Sequence, residues 1–223
     1  MLTIHRRVGN LHSARIRISE RSDGDARSDS FLAGEREDLT LPHQIHGSKI
    51  LVITEPGEGH GIECDGLITS TPGAVIGVRS ADCVPVALYS GTSSNPLIGV
   101  VHAGWRGIRA GVIDEAVKNL VELGSGPLRA IIGPHISAEE YEFGISDLAT
   151  MVTITDENVV GQTKDGSPAL DLGAAVEAML LKRSVVIDYR VRRCTAKDPR
   201  YWSHRGNRDI ERFALLAEIG SLS

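Results

Sequence analysis

The sequence lacks several features that are typical of membrane, secreted and nucleic-acid-binding proteins. No part of its 223 residues approaches the ~18 consecutive apolar residues of a membrane span, and its first residues lack the apolar stretch of a signal peptide. No cluster of Lys and Arg stands out and the formal net charge is −5, which argues against DNA or RNA as a partner. The three cysteines, Cys64, Cys83 and Cys194, are odd in number and far apart, which favours a reducing compartment over a disulfide framework. We therefore expect a cytoplasmic protein without membrane, nucleic-acid or obligate protein partners.

Short apolar runs in the middle of the chain predict β-strands, because they are rich in Val and Ile and are bounded by Gly, Pro or Ser. Residues 2–19 are typical of a hairpin with a turn at Gly9-Asn10. The polar segment 20–38 is predicted to be a mobile loop with a short helix near residues 31–38. Further strands are predicted at residues 50–54, 66–69, 74–79, 84–90, 97–102, 128–132 and 185–191.

Helical periodicity appears after residue 107. Residues 108–123 carry apolar side chains on one helical stripe, and Gly124 ends the pattern. A weaker helix is predicted near 146–152, and Asp171 can cap a helix from about 172 to 183. Residues 212–219 form a last strand or a short helix. Strands with helices inserted among them favour an α+β fold with a mixed sheet and helices outside it, and the length is ample for a core.

Three side chains that can bind a metal or act as nucleophiles lie beside small residues near the ends of apolar runs. They are His46, Cys83 and His102, separated by 37 and 19 residues. Two imidazoles and a thiolate suit zinc and leave a fourth position open, as in catalytic sites. These gaps are too long for a zinc finger, so the site would be assembled from separate strand ends. Spacing alone also fits a small buried cysteine and two hydrogen-bonded surface histidines.

Two segments are candidates for binding a substrate. Arg106 lies in the stretch Gly-Trp-Arg-Gly at 104–107, where glycines permit close approach and a guanidinium can clamp a phosphate. A tight turn with a structural ion pair fits the same stretch. Residues 201–205 (Tyr-Trp-Ser-His-Arg) could orient a heterocycle, or form a partly buried aromatic anchor.

Several short motifs identify a family when they are read together. They are Gln-Ile-His-Gly at 44–47, Asp-Gly-Leu-Ile-Thr at 65–69, Ala-Asp-Cys-Val-Pro at 81–85, His-Ala-Gly-Trp-Arg-Gly at 102–107, Ile-Gly-Pro at 132–134 with Tyr-Glu at 141–142, Cys-Thr at 194–195 and Ser-His-Arg at 203–205. With these motifs, over about residues 40–219, the chain resembles the YfiH-like family, which is also labelled the laccase-domain or multicopper polyphenol oxidase family.

The resemblance implies one domain over residues 1–223, with a four-layer α/β-β/α fold and mixed sheets. It implies zinc held by His46, Cys83 and His102. It also implies a zinc-dependent purine nucleoside phosphorylase with adenosine deaminase activity. The expected substrates are phosphate and nucleosides of the adenosine, inosine, guanosine and methylthioadenosine class.

Further roles follow from the resemblance. Arg106 and Arg205 are candidates for neutralising charge during catalysis. Asp82 or Asp65 is a candidate for orienting a ligand histidine. We thus expect the catalytic set to contain Cys83, His102, Asp82, Arg106 and Arg205.

The chain departs from the family in two regions. Residues 21–25 read Arg-Ser-Asp-Gly-Asp where the family usually has a Gly-Gly-Val-Ser loop. Residues 206–212 read Gly-Asn-Arg-Asp-Ile-Glu-Arg where the family has a second arginine and a Thr-Gly-Arg. His135 stands where the family commonly has a small residue. The sequence therefore assigns no substrate contacts in these regions and no role to His135.

The family's labels leave alternatives to a phosphorylase. A multicopper oxidase needs a blue-copper site and a histidine-rich trinuclear cluster, whereas the eight histidines are scattered without a His-x-His pair. A Cys–His hydrolase or deamidase, with Cys83 as nucleophile and His102 as base, follows from a fold resemblance to a deamidating toxin. A peptidoglycan editing factor acting in cell-wall synthesis follows from descriptions of bacterial relatives.

Zinc binding by Cys83 would also affect cysteine reactivity. The other two cysteines, Cys64 and Cys194, should then be alkylated before Cys83.

Overall fold

The computed structural model describes residues 1–9, 11–92 and 95–221. The strands in chain order are β1 (Leu2–Val8), β2 (His12–Ile18), β3 (Leu39–Thr40), β4 (Ile50–Ile53), β5 (Gly66–Thr69), β6 (Val75–Ser80), β7 (Val84–Tyr89), β8 (Ile98–Ala103), β9 (Arg129–Ile132), β10 (Val160–Gln162), β11 (Pro168–Leu170), β12 (Val186–Arg190) and β13 (Phe213–Ser221). The α-helices are α1 (Trp105–Ala110), α2 (Val112–Glu122), α3 (Ile145–Ile154), α4 (Leu172–Lys182) and α5 (His204–Asn207).

Two mixed sheets form the centre of the fold. One has the order β1-β2-β13-β6-β3, and its pairs are antiparallel except β3 with β6. The other has the order β12-β9-β7-β8-β5-β4, with parallel pairs at its two ends. Strands β10 and β11 form a separate antiparallel hairpin. Strand β6 belongs to the five-stranded sheet, whereas β7 and β8 belong to the six-stranded sheet. The turn between β6 and β7 therefore lies where the chain passes from one sheet to the other.

Alternating side chains on β8 show why the two sheets pack face to face. Val100 lies in an apolar cluster between the sheets with Ile76 and Leu215 of the five-stranded sheet. Its neighbour Val101 points to the opposite face and packs in the cluster beneath the helices, which includes Ile113 of α2. Side chains alternate between the two faces of a strand, so β8, which is buried along its whole length, serves both cores.

The outer layers differ on the two sides. Helices α2 and α4 cover the six-stranded sheet, whereas turns and irregular chain from residues 26 to 41 cover the five-stranded sheet. On that side Phe31 is 3% exposed and packs in a cluster with Leu216 of β13. The layers are thus helices, sheet, sheet and an irregular cover, which confirms the α+β fold with mixed sheets.

The segment 20–38 contains 3₁₀ turns at Arg21–Asp23 and Ala33–Glu35. The short helix expected near 31–38 is therefore a single 3₁₀ turn. The segment is tied to the sheet by Phe31 and by an ion pair between Arg17 and Glu35. Its mobility stays a prediction.

Most expected strands lie within two residues of their predicted bounds, and residues 213–221 are a strand. The hairpin over residues 2–19 is confirmed, although its turn includes Asn10, which lies outside the described residues. The single helix predicted over 108–123 is wrong: α1 and α2 are separate, because Gly111 has φ = 88° and caps α1 through its N–H. The hairpin of β10 and β11 was not predicted.

No helix in the described ranges has the length and apolar character needed to cross a membrane.

Candidate metal centre and active-site cavity

Three loops and strands bring His46, Cys83 and His102 together. His46 precedes β4, Cys83 lies in the turn between β6 and β7, and His102 is in β8. Their potential ligand atoms all lie within 4.8 Å of one another, and Cys83 Sγ is 3.9 Å from His46 Nε2. Two imidazole nitrogens and one sulfur at this spacing fit a zinc ion with an open position.

A buried carboxylate organises this cluster. Asp65 immediately precedes β5 and is 0% exposed. It accepts hydrogen bonds from the backbone N–H groups of Ile45, His46 and Gly47 at 3.2, 3.0 and 2.8 Å. Its Oδ1 also lies 2.9 Å from Nδ1 of His102. This contact leaves Nε2 of His102 for the cluster, which is how outer carboxylates orient metal-binding histidines.

The same contacts keep Asp65 ionised. Burial opposes its charge, but the hydrogen bonds from His102 and from the backbone of Gly47 outweigh burial and hold the pKa of Asp65 below its usual value. His46 adopts a left-handed backbone with φ = 59°, which is uncommon for a residue with a side chain. The three N–H groups pointing at Asp65 stabilise this turn.

Gly104 provides the space that the cluster needs. A Cβ atom at this position would lie 2.9 Å from Cys83 Sγ and 2.9 Å from His46 Cδ2. Real Cβ atoms essentially never approach other atoms so closely. The glycine of the His-Ala-Gly-Trp stretch is therefore required by packing against two candidate ligands.

The thiol and the adjacent imidazole form an electrostatic pair. Burial opposes ionisation of Cys83, but His102 and His46 outweigh it and lower the pKa of the thiol to about 6. Burial also opposes protonation of His102, whereas Cys83 and Asp65 raise its pKa to about 9. Without a bound metal, the two imidazoles therefore favour the thiolate form of Cys83, which is the form that binds metals and attacks electrophiles.

The cluster lines a cavity of about 720 Å³ whose charged walls are mainly cationic. Aromatic rings of Trp105 and Tyr141 line it as well. Asp82 is the one acidic residue among its lining residues, whereas five are arginines: Arg27, Arg79, Arg106, Arg205 and Arg212. Such a cavity suits an anionic ligand.

Both carboxylate oxygens of Asp82 accept hydrogen bonds from the C-terminal part of the chain. Its Oδ1 accepts hydrogen bonds from the hydroxyls of Thr195 and Ser203 at 2.7 and 2.6 Å, and its Oδ2 accepts one from the N–H of Arg205 at 2.6 Å. Of the two carboxylates considered for orienting a ligand histidine, Asp65 contacts His102, and Asp82 instead anchors α5. Asp82 therefore fixes the backbone of Arg205, and Asp65 is the carboxylate that contacts a candidate metal ligand.

Arg106 and Arg205 each stack on an aromatic ring of the cavity. The guanidinium of Arg106 lies 4.5 Å from the ring centroid of Trp105, and that of Arg205 lies 4.8 Å from that of Tyr141. Arg205 also donates to the carbonyl of Glu142 at 3.0 Å. Within the described ranges neither arginine has an ion pair with a carboxylate, so the structural ion pair considered for Arg106 is not found.

The walls contain residues that the sequence analysis did not single out. Arg27, Arg79 and Arg212 come from the segment before β3, from β6 and from the residue before β13. No short motif joins them. The pairing of β6 with β13 brings Arg79 and Arg212 together, and the backbone N–H groups of Arg27 and Arg212 both donate to Asp25. His135 lies outside this cavity, where its Nδ1 contacts the carbonyl of Gly133 and burial lowers its pKa.

Comparison with known proteins identifies the family. The model of the family described as multi-copper polyphenol oxidoreductase laccase matches residues 25–219. The chain belongs to this laccase family. A purine nucleoside phosphorylase of Xylella fastidiosa (strain Temecula1) is 35% identical over 194 residues, which cover 81% of this chain and 73% of that protein. The purine nucleoside phosphorylase Rv2149c of Mycobacterium tuberculosis is 31% identical over 182 residues, covering 78% of this chain and 69% of that protein.

Solved structures of similar proteins share the fold. The hypothetical protein YfiH of Bacillus licheniformis superposes with a TM-score of 0.78 at 21% identity, over 93% of this chain and 92% of that one. Protein NMB0706 of Neisseria meningitidis superposes with a TM-score of 0.77 at 21% identity, over 97% and 98% of the two chains.

The name of the laccase family suggests copper, and the ligands bear on this point. Multicopper oxidases combine a His₂Cys site with a histidine-rich trinuclear cluster. In the described part of this chain one group of three or more His, Cys, Asp or Glu side chains is close enough to hold a metal, namely His46, Cys83 and His102. This donor set fits a single metal ion and not a four-copper assembly.

The cysteines differ in access, which bears on the expected order of alkylation. Cys64 is 0% exposed, and burial raises the pKa of its thiol. Cys194 is half-buried, and its sulfur accepts hydrogen bonds from the N–H and hydroxyl of Ser137 at 3.3 and 3.2 Å. Burial therefore argues against alkylation of Cys64 ahead of Cys83, whereas Cys194 is partly exposed; the order of alkylation stays a prediction.

Removing the charge of Asp65 should weaken metal binding. We expect Asp65→Asn to lower metal affinity about 10–100-fold, because the His102 contact and the 45–47 turn lose their anionic acceptor. Competition with a chromophoric chelator measures the affinity. Asp147→Asn, which removes an equal charge on α3, is the control and should leave affinity unchanged. Equal affinities of the wild type and Asp65→Asn would contradict the assigned role.

Metal removal should expose the reactivity of Cys83. In the metal-loaded protein we expect iodoacetamide to label Cys194 first, because coordination quenches the Cys83 thiolate. After chelation, Cys83 should become the fastest, with a rate that rises through pH 6 and levels off, following the thiol pKa of about 6. Peptide mass spectrometry over a pH series measures this. A Cys83 rate that is indifferent to chelation would argue against Cys83 as a metal ligand.

Proposed function

We propose that this protein is a zinc-dependent purine nucleoside phosphorylase with adenosine deaminase activity. The observation that carries the proposal is the meeting of His46, Cys83 and His102 with stacked arginines in one cavity. A candidate metal cluster lies beside guanidinium groups that have no ion pair with a carboxylate among the described residues. This arrangement suits a reaction between a neutral nucleoside and phosphate. The names of the relatives from Xylella fastidiosa and Mycobacterium tuberculosis support the same activity.

In phosphorolysis an oxygen of inorganic phosphate forms a bond to C1′ of the ribose, while the bond from C1′ to N9 of the purine breaks. The base leaves with the bonding electrons and takes up a proton. We assign the phosphate to Arg106 and Arg205, since guanidinium groups bind phosphate with paired hydrogen bonds. Their stacking on Trp105 and Tyr141 restricts them before the substrate binds.

Zinc held by His46, Cys83 and His102 would supply positive charge and Lewis acidity at the wall of the cavity. Burial and the neighbouring Cys83 raise the pKa of Tyr141 to about 12, so its phenol keeps its proton and can donate a hydrogen bond to the purine. Deamination of adenosine uses the same purine pocket, but water replaces the amino group and ammonia leaves. It therefore needs no phosphate.

A second candidate is a Cys–His hydrolase, which the pairing of Cys83 with His102 and of His102 with Asp65 favours. A thiolate beside an imidazolium that is itself oriented by a carboxylate is the arrangement of a cysteine nucleophile. A bound zinc ion would exclude this activity. A role in peptidoglycan editing is a third alternative, and it predicts no turnover of free nucleosides.

Metal analysis and product analysis together test the proposal. We expect about one zinc per chain, loss of zinc in Cys83→Ala, and full zinc in the control Cys194→Ala. Inosine with phosphate should yield hypoxanthine and ribose 1-phosphate, and adenosine without phosphate should yield inosine and ammonia. A zinc-loaded protein that leaves both nucleosides intact would contradict the proposed activity. A metal-free protein would contradict the zinc assignment and leave the Cys83–His102 hydrolase as the alternative.

Arg106 should affect phosphorolysis more than deamination. We expect Arg106→Ala to weaken phosphorolysis about ten- to a hundredfold, the loss of a charge-assisted contact of ~1.5–3 kcal/mol. Arg106→Lys should rescue poorly, because an ammonium lacks the bidentate fork. Both activities are measured at limiting and saturating phosphate, with the exposed Arg109→Ala on α1 as control. Equal loss of both activities with unchanged phosphate dependence would make Arg106 structural.

A further inference from the structure

Three cationic side chains of the cavity remain without a role once Arg106 and Arg205 are assigned to phosphate. They are Arg27, Arg79 and Arg212. In the described part of the chain none of the three has an ion pair with a carboxylate. Their guanidinium groups donate to backbone carbonyls instead: Arg27 to Ile210 at 2.7 Å, Arg79 to Pro42, and Arg212 to the carbonyls of residues 209–211.

The charges of Arg27 and Arg212 lie close enough to Arg79 to disfavour its own charge. Burial is the main cause that lowers the pKa of Arg79, and the positive charges of Arg27 and Arg212 lower it further, against Asp25. Asp25 offsets part of this repulsion, and its Oδ1 accepts hydrogen bonds from the backbone N–H groups of Arg27 and Arg212. One carboxylate against three guanidinium groups leaves the group cationic. Repulsion of this kind is relieved when an anion binds among the guanidinium groups.

This group is distinct from the pair that stacks on aromatic rings. Arg106 and Arg205 lie over Trp105 and Tyr141, and both act on the pKa of Tyr141. The other three arginines are carried by β6 and by the segments that flank β3 and β13. The cavity of about 720 Å³ lies within the range of about 300–1,000 Å³ that is usual for sites of small ligands. It therefore has two cationic groups and room for a ligand that touches both.

We infer that Arg27, Arg79 and Arg212 form a second phosphate subsite, which binds the 5′-phosphate of a purine nucleoside 5′-monophosphate. The inference rests on the proposed function and extends its substrate class. The 5′ position is attached across the ribose ring from C1′, so a phosphate there leaves C1′ free for the attacking phosphate. Phosphorolysis then breaks the bond from C1′ to N9 and yields the purine base and ribose 1,5-bisphosphate, with no further reactant.

Binding of paired ligands tests the inference directly. Calorimetry in phosphate-free buffer compares inosine with inosine 5′-monophosphate on the metal-loaded protein. We expect the wild type to bind the nucleotide more tightly. Arg27→Ala and Arg79→Gln should each weaken nucleotide binding about ten- to a hundredfold and leave inosine binding within about twofold. Arg109→Ala is the control for charge, and thermal unfolding of Arg79→Gln shows whether the variant is folded.

Three outcomes would overturn the inference. They are equal affinity of the wild type for the two ligands, equal weakening of both ligands in Arg27→Ala, and loss of inorganic phosphate binding in Arg27→Ala without any preference for the nucleotide. The last outcome would assign the three arginines to free phosphate. Because binding is measured without turnover, the subsite can stand or fall separately from the phosphorylase activity, which inosine cleavage tests.

Discussion

The site depends on one buried carboxylate. Asp65 has no exposed surface, so each of its oxygens must be satisfied by protein donors, and these come from the turn at 45–47 and from His102. Leaving a buried charge without partners costs several kcal/mol, so the donors cannot drift apart while the protein stays folded. The positions of His46 and His102 are therefore set by the need to solvate Asp65, independently of any metal.

The second organising feature is how the cavity distributes its charges. The oxygens of its acidic lining residue, Asp82, accept hydrogen bonds from the hydroxyls of Thr195 and Ser203 and from the backbone N–H of Arg205. The arginines of the wall donate to carbonyls or stack on rings, and these partners carry no formal charge. Hydrogen bonds within the chain thus satisfy the oxygens of Asp82, and its single negative charge is outnumbered by five guanidinium groups around the cavity. The electrostatic preference for anions is therefore a property of the fold.

The chemistry-bearing residues were predictable where they lie in short local patterns. Cys83 and His102 stand at the ends of strands with small neighbours, and the motif resemblance joined them to His46. The break at Gly111 was not predictable from periodicity, because the apolar stripe continues through α1 and α2 although the backbone does not. Arg79 and Arg212 were not predicted as cavity residues, because only the pairing of β6 with β13 brings them together. Neither segment contains a local sequence pattern that predicts this pairing.

The position of β13 has a consequence for how the protein is made. This last described strand lies between β2 and β6 in the middle of its sheet, so the sheet cannot close until residues 213–221 have been synthesised. Until then β2 and β6 present open edges, which are prone to pair with other chains, and contacts of such long sequence separation form slowly. The wall containing Arg79 and Arg212 is completed in the same step. The cationic wall can therefore form only after all three residues of the His46, Cys83 and His102 cluster have been synthesised.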